Sequence, residues 1–110
     1  MIRRLLLHEG VIATCLLRDD GALVEGYGLI DREALQALGH FAHHYRRLLQ
    51  ANVDQFALFT GRRGFAPPQG FYLKGEHLSV VGVSAIVCLV ETQHTAIDPL
   101  LVDVREIAHW

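Results

Sequence analysis

The segment Val11–Leu17 is apolar at nearly every position. In an extended chain Val11, Ala13, Cys15 and Leu17 point to one side, and Ile12, Thr14 and Leu16 to the other. A strand that is apolar on both faces must be covered on both. It therefore belongs inside a sheet that has a layer above it and a layer below. The rest of the chain has to supply neighbouring strands and two covers.

The strands come as hairpins. Arg18-Asp19-Asp20-Gly21 is a turn signal, because Asp-Gly supplies positive-φ positions. Ala22–Tyr27 is the returning strand. Phe71–Lys74 reads as a short strand and Gly75-Glu76 as a turn. His77–Val83 and Ala85–Glu91 are β-rich and nearly all apolar, with a tight connection around Gly82-Val83-Ser84. Phe56–Thr60 reads either as a further strand or as the end of the preceding helix.

The covers are helical. Asp31 is a good N-cap, and Glu33 favours the first turn. After it, Ala34, Leu35, Leu38, Phe41, Ala42, Tyr45, Leu48 and Leu49 fall on one helical face. Gln36, His40, His43, Arg47 and Gln50 line the opposite one. Gly39 interrupts this helix at about 1 kcal/mol relative to alanine; it either admits a close neighbour or is a tolerated imperfection. Ile2–His8 is a short amphipathic stretch with Gly10 as a C-cap. Thr95–Val104 reads as a last helix, Thr95 capping it and Pro99 in its first turn. The expected class is α/β (α+β): a central, mostly antiparallel sheet of five or six strands with helices on both faces, in one domain spanning residues 1–110.

The 110 residues are 51% hydrophobic and 20% charged, with a formal net charge of −2. This balance suits a globular domain and gives no electrostatic pull toward nucleic acid. No apolar run approaches the roughly 20 residues needed to span a bilayer. Leu5–Leu7 is too short for a secretory signal core, so a cytoplasmic protein is expected. Cys15 and Cys88 sit inside apolar runs, without CxxC spacing or a basic activator, and read as buried thiols.

Catalytic signatures are missing. No serine lies in a nucleophile elbow, and Gly61-Arg62-Arg63-Gly64 is too short for a phosphate-binding loop. Asp19 and Asp20 belong to a hairpin tip, which offers a carboxylate pair no burial. His40 and His44, spaced i and i+4, present two nitrogens to one side, with His43 beside them. Two ligands are not a metal site, and Arg46 and Arg47 repel cations. A solvated or partner-facing helix surface is the expectation, with no metal and no cofactor. The loop from Arg62 to Phe71 gathers Arg62, Arg63, Phe65, Pro67, Pro68 and Phe71. Arginine and aromatic residues are enriched at binding hot spots, and proline limits ordering entropy. These six residues are the candidate partner-binding set; the alternative is that Phe65 and Phe71 tuck into the core.

The opening hairpin Gly10–Val24, the long helix after it and the apolar strand Leu78–Val83 together resemble the roadblock/dynein light chain domain. Within that superfamily the chain is most similar to a small prokaryotic group known as a domain of unknown function. The likeness runs through Gly64–Phe71, Gly75–Val80 and Val87–Glu91, with Phe65 and Phe71 where tryptophan is expected. The resemblance implies a roadblock/profilin-like fold and a homodimer formed through the long helix and an edge strand. It also implies a non-catalytic scaffold that regulates a small GTPase or assembles a larger complex. The alternative is a sensor for a small ligand or metal, as in related profilin-like folds.

Overall fold

The computed structural model describes residues 1–60 and 70–108, with side chains for all of these except 50–60. A 3-10 turn over Ile2–Leu7 leads into β1 (Val11–Leu17) and β2 (Leu23–Gly28). Then come α1 (Arg32–Thr60), β3 (Gly70–Lys74), β4 (Leu78–Val83), β5 (Ile86–Glu91) and α2 (Ile97–Ala108). Phe56–Thr60 is thus the end of α1 rather than a strand, and the described residues form a sheet of five strands in the order β2-β1-β5-β4-β3. Every neighbouring pair is antiparallel.

β1 lies between β2 and β5 and is covered on both faces, as its composition demands. On one face Ala13, Cys15 and Leu17 pack with Val87 under Leu35, Leu38 and Ala42 of α1. On the other, Val81, Cys88 and Val90 pack with Leu100, Val104 and Ile107 of α2 and with Ile2 and Leu5 of the 3-10 turn. The strict alternation expected for β1 fails at its start. Val11 pairs with Val90 and Ala13 with Leu89, so Ile12 is the extra residue of a β-bulge. Val11 consequently faces α2, while Ile12 and Ala13 both face α1.

The turns differ from the sequence reading in detail. The first hairpin closes as a three-residue loop: Arg18 N–H donates to the Ala22 carbonyl, Gly21 N–H donates to the Arg18 carbonyl, and only Gly21 has positive φ. The β4–β5 turn is Ser84-Ala85, closed by the Val83–Ile86 pair, with Ser84 at φ 54°. Asp31 caps α1 as expected, its Oδ1 accepting the Ala34 N–H at 2.8 Å. Thr95 does not cap α2. Its hydroxyl donates to the Glu91 carbonyl at 2.9 Å, and the helix begins two residues later. Gly39 is buried against the Leu17 side chain, so the glycine does admit a close neighbour.

Polar ties clasp the N-terminal turn to α2. Arg4 donates to Asp103 Oδ1, and His8 Nε2 lies 2.9 Å from Asp103 Oδ2. The hydrogen bond from Arg4, and then that from His8, holds the Asp103 carboxyl below its ordinary pKa. Because the folded-state pKa is the lower one, this stabilisation is complete above about pH 4, the unfolded value. It is lost as pH falls through the folded value. Asp103→Asn should therefore flatten the acid limb of the stability curve, as read by thermal melts between about pH 5 and pH 2.

Candidate interaction surface

α1 is wider in its apolar stripe than the sheet beneath it uses. Leu35, Leu38 and Ala42 are buried, Tyr45 and Leu49 half-buried, but Phe41 is 43% and Leu48 50% exposed. Phe41 stacks on Tyr45 with ring centroids 6.0 Å apart, and Tyr45 meets Phe71 of β3 edge-on at 5.0 Å. The Phe71 ring lies over Gly82 of β4, where a side chain would collide with it. These rings form an aromatic ladder from the exposed flank of α1 down to the edge strand. On the strand itself Tyr72 is exposed on the sheet's other face, and among the described residues no further strand lies on the outer edge of β3.

Of the six candidate partner-binding residues, Arg62, Arg63, Phe65, Pro67 and Pro68 lie outside the described residues. Phe71 is described and half-buried in the ladder, so its ring serves packing as well as any contact. His40 and His44 project into solvent. His43 instead packs over Gly21 at the hairpin tip, so it does not belong to the outward-facing row. Among the described residues no three His, Cys, Asp or Glu side chains converge as a metal site. Sequence reasoning also missed Arg46. It is half-buried, one guanidinium nitrogen is sealed from solvent without an acceptor among the described residues, and desolvation lowers its pKa. Its place on the helical wheel between the buried Leu35 and Gly39 carried that signal.

The two thiols sit on opposite faces of the sheet, Cys15 under α1 and Cys88 under α2, which rules out a bond between them. Burial pushes each up to about 11, so both remain protonated at neutral pH. An open cleft of about 580 Å³ borders β2, between Arg3 and Leu6 of the N-terminal turn and Ile30 and Leu35. Its lining side chains are mostly aliphatic, with Arg3 and Tyr27 the polar ones, too few to make the convergent polar set of a polar-ligand pocket.

A family model of uncharacterized conserved proteins, DUF2173, matches residues 1–106. The chain belongs to this family. The sequence matches no curated protein. Among solved structures, the DUF2173 chain is similar to the Roadblock/LC7 domain from Streptomyces avermitilis, with a TM-score of 0.73 at 14% identity over 99% of this chain and 95% of that one. It is similar to MglB in a tetrameric arrangement, with a TM-score of 0.74 at 14% identity over 97% and 79% of the two chains. A third is Myxococcus xanthus MglB, at 0.65 and 12% over 90% and 78%. At these identities the likeness is one of fold: this DUF2173 member has the roadblock fold. No helix among its described residues is long and apolar enough to cross a membrane.

Proposed function

We propose that this DUF2173 protein is a non-catalytic, homodimeric interaction module of the cytoplasm. The observation that carries the reading is the exposed apolar flank of α1 joined by the aromatic ladder to the open edge of β3. Phe41 and Leu48 are about half exposed in a single copy, and among the described residues β3 ends the sheet with its outer edge unpaired. An isologous pairing of two such surfaces would bury the flank and join two sheets. In sedimentation the wild-type chain should run as a dimer. Phe41→Glu, which forces a carboxylate into that contact, should raise the dimer Kd at least about tenfold and release the 12.3 kDa monomer. A wild-type protein that is monomeric at tens of micromolar, or a Phe41→Glu dimer as tight as wild type, would overturn the assignment.

The dimer would present a partner-binding face, and the Arg62–Phe71 loop is the proposed contact. Its guanidinium donors, aromatic area and prolines suit recognition of a protein surface with little ordering cost. The partner class implied by the roadblock resemblance is a small GTPase. Titration of the chain against the small GTPases of its own cell tests this. Arg62→Ala combined with Arg63→Ala should weaken binding, with a stability change of only about 0.5 kcal/mol or less. Unchanged binding would exclude the loop, and loss of binding in His43→Ala with Arg47→Ala would move the contact to the helix.

A further inference from the structure

Among the described residues the sheet has a second free edge, β2, and it is the opposite of β3 in character. Gly26 and Gly28 leave the strand narrow, the cleft of about 580 Å³ keeps its border open, and Leu29 just beyond it is 88% exposed. Two charges there lack partners among the described residues. Arg3 lies over the Tyr27 ring at 5.7 Å, on the α2 side of the sheet, and forms no ion pair. Glu25 is exposed and likewise unpaired. Glu25 and Tyr27 share that face, since they pair with Leu16 and Thr14 of β1. A lone carboxylate midway along an edge strand ordinarily guards the edge against pairing. Here a guanidinium two residues along the same face supplies what would neutralise it.

We infer that a second copy of this chain docks on β2, antiparallel, with Gly26 facing Gly26 of the partner subunit. An antiparallel pair keeps directly opposite side chains on one face, so the two-fold axis must fall on a residue position. With the axis at Gly26, Tyr27 stands opposite the partner's Glu25, and Arg3, lying over Tyr27, meets that carboxylate. The contact occurs twice, once on each side of the axis. The absence of side chains at the axis lets the backbones approach. The same register sets Leu29 opposite the partner's Leu23 and beside the partner's Val24, which is 51% exposed in the single copy. Charge and apolar area are thus self-complementary within one patch, as a two-fold contact requires. This edge is separate from the α1–β3 surface. A chain that uses both edges grows past the dimer.

The test is the mass of the full chain by sedimentation or light scattering over a concentration series. The wild type should pass beyond the dimer as concentration rises. Leu29→Glu, at a fully solvated position, should stop it at the dimer with an unchanged thermal melt. Glu25→Arg and Arg3→Glu should each do the same, and the double variant Arg3→Glu with Glu25→Arg should regain growth. A wild type that stays at the dimer up to its solubility limit, with that dimer untouched by Leu29→Glu, overturns the proposal. So does a Leu29→Glu series that superimposes on wild type, or a folded double variant that fails to recover. The two interfaces separate cleanly: a dimer dissolved by Leu29→Glu but not by Phe41→Glu upholds the β2 contact and refutes the helix reading.

Discussion

Leu100→Ala should lower the unfolding free energy by about 2–5 kcal/mol, read from urea melts at constant m-value. Leu100 is wholly buried in α2, against the face of the sheet that carries Val81, Cys88 and Val90. Removing three carbons loses their transfer free energy and leaves a void, because β4 and β5 are locked in register and cannot close onto it. A domain of this size has only about 5–15 kcal/mol of stability to lose. The contrast is Leu7, 85% exposed at the end of the N-terminal turn, where the same truncation should cost about 0.5 kcal/mol or less. If both changes cost the same, α2 is not the cover of that face. The proposed assemblies would then rest on a wrong layer order.

The layers themselves were legible in the sequence, for a physical reason. A strand apolar on both faces and a helix with a broad apolar stripe leave few arrangements that bury both. β1 between two helical covers is one of them. Asp31 was legible as a cap because the interaction is local. The β1 bulge and the placing of His43 have the opposite property. Nothing in Val11-Ile12-Ala13 marks a bulge; it arises where β1 meets β5, a strand that lies some seventy-five residues away. Thr95 is the local exception: it has the chemistry of a cap, but the Glu91 carbonyl four residues back, at the end of β5, takes its hydroxyl. His43 falls on the polar side of the wheel, yet the hairpin tip at Gly21 folds up to meet it. At the candidate site, the stripe told which residues are apolar but not how far the sheet extends beneath them. The exposed flank at Phe41 and Leu48 became visible only with β3 and β4 in place.

The second large effect is expected at the end of β2. Gly28 has φ 143°, a region that side-chain-bearing residues rarely enter, at a cost of roughly 1–3 kcal/mol. Space forbids a side chain as well. A Cβ there would press on the Ile12 carbonyl oxygen and on the Ala13 backbone, at the site of the β1 bulge. Those atoms are main chain and cannot rotate away. The carbonyl also accepts the Leu29 N–H at 2.9 Å, the bond that turns the chain off the sheet toward α1. Gly28→Ala should therefore combine backbone strain with loss of that bond, and lower stability by more than about 3 kcal/mol. Gly26→Ala is the informative partner. Gly26 has no positive φ, and its Cβ would meet the movable ends of Leu35 and Leu23 instead of backbone. It should cost about 1–2 kcal/mol, the range for mild overpacking. A Gly28→Ala protein as stable as Gly26→Ala would show that the β2 edge yields easily, and an edge that yields would not hold a partner in a fixed register.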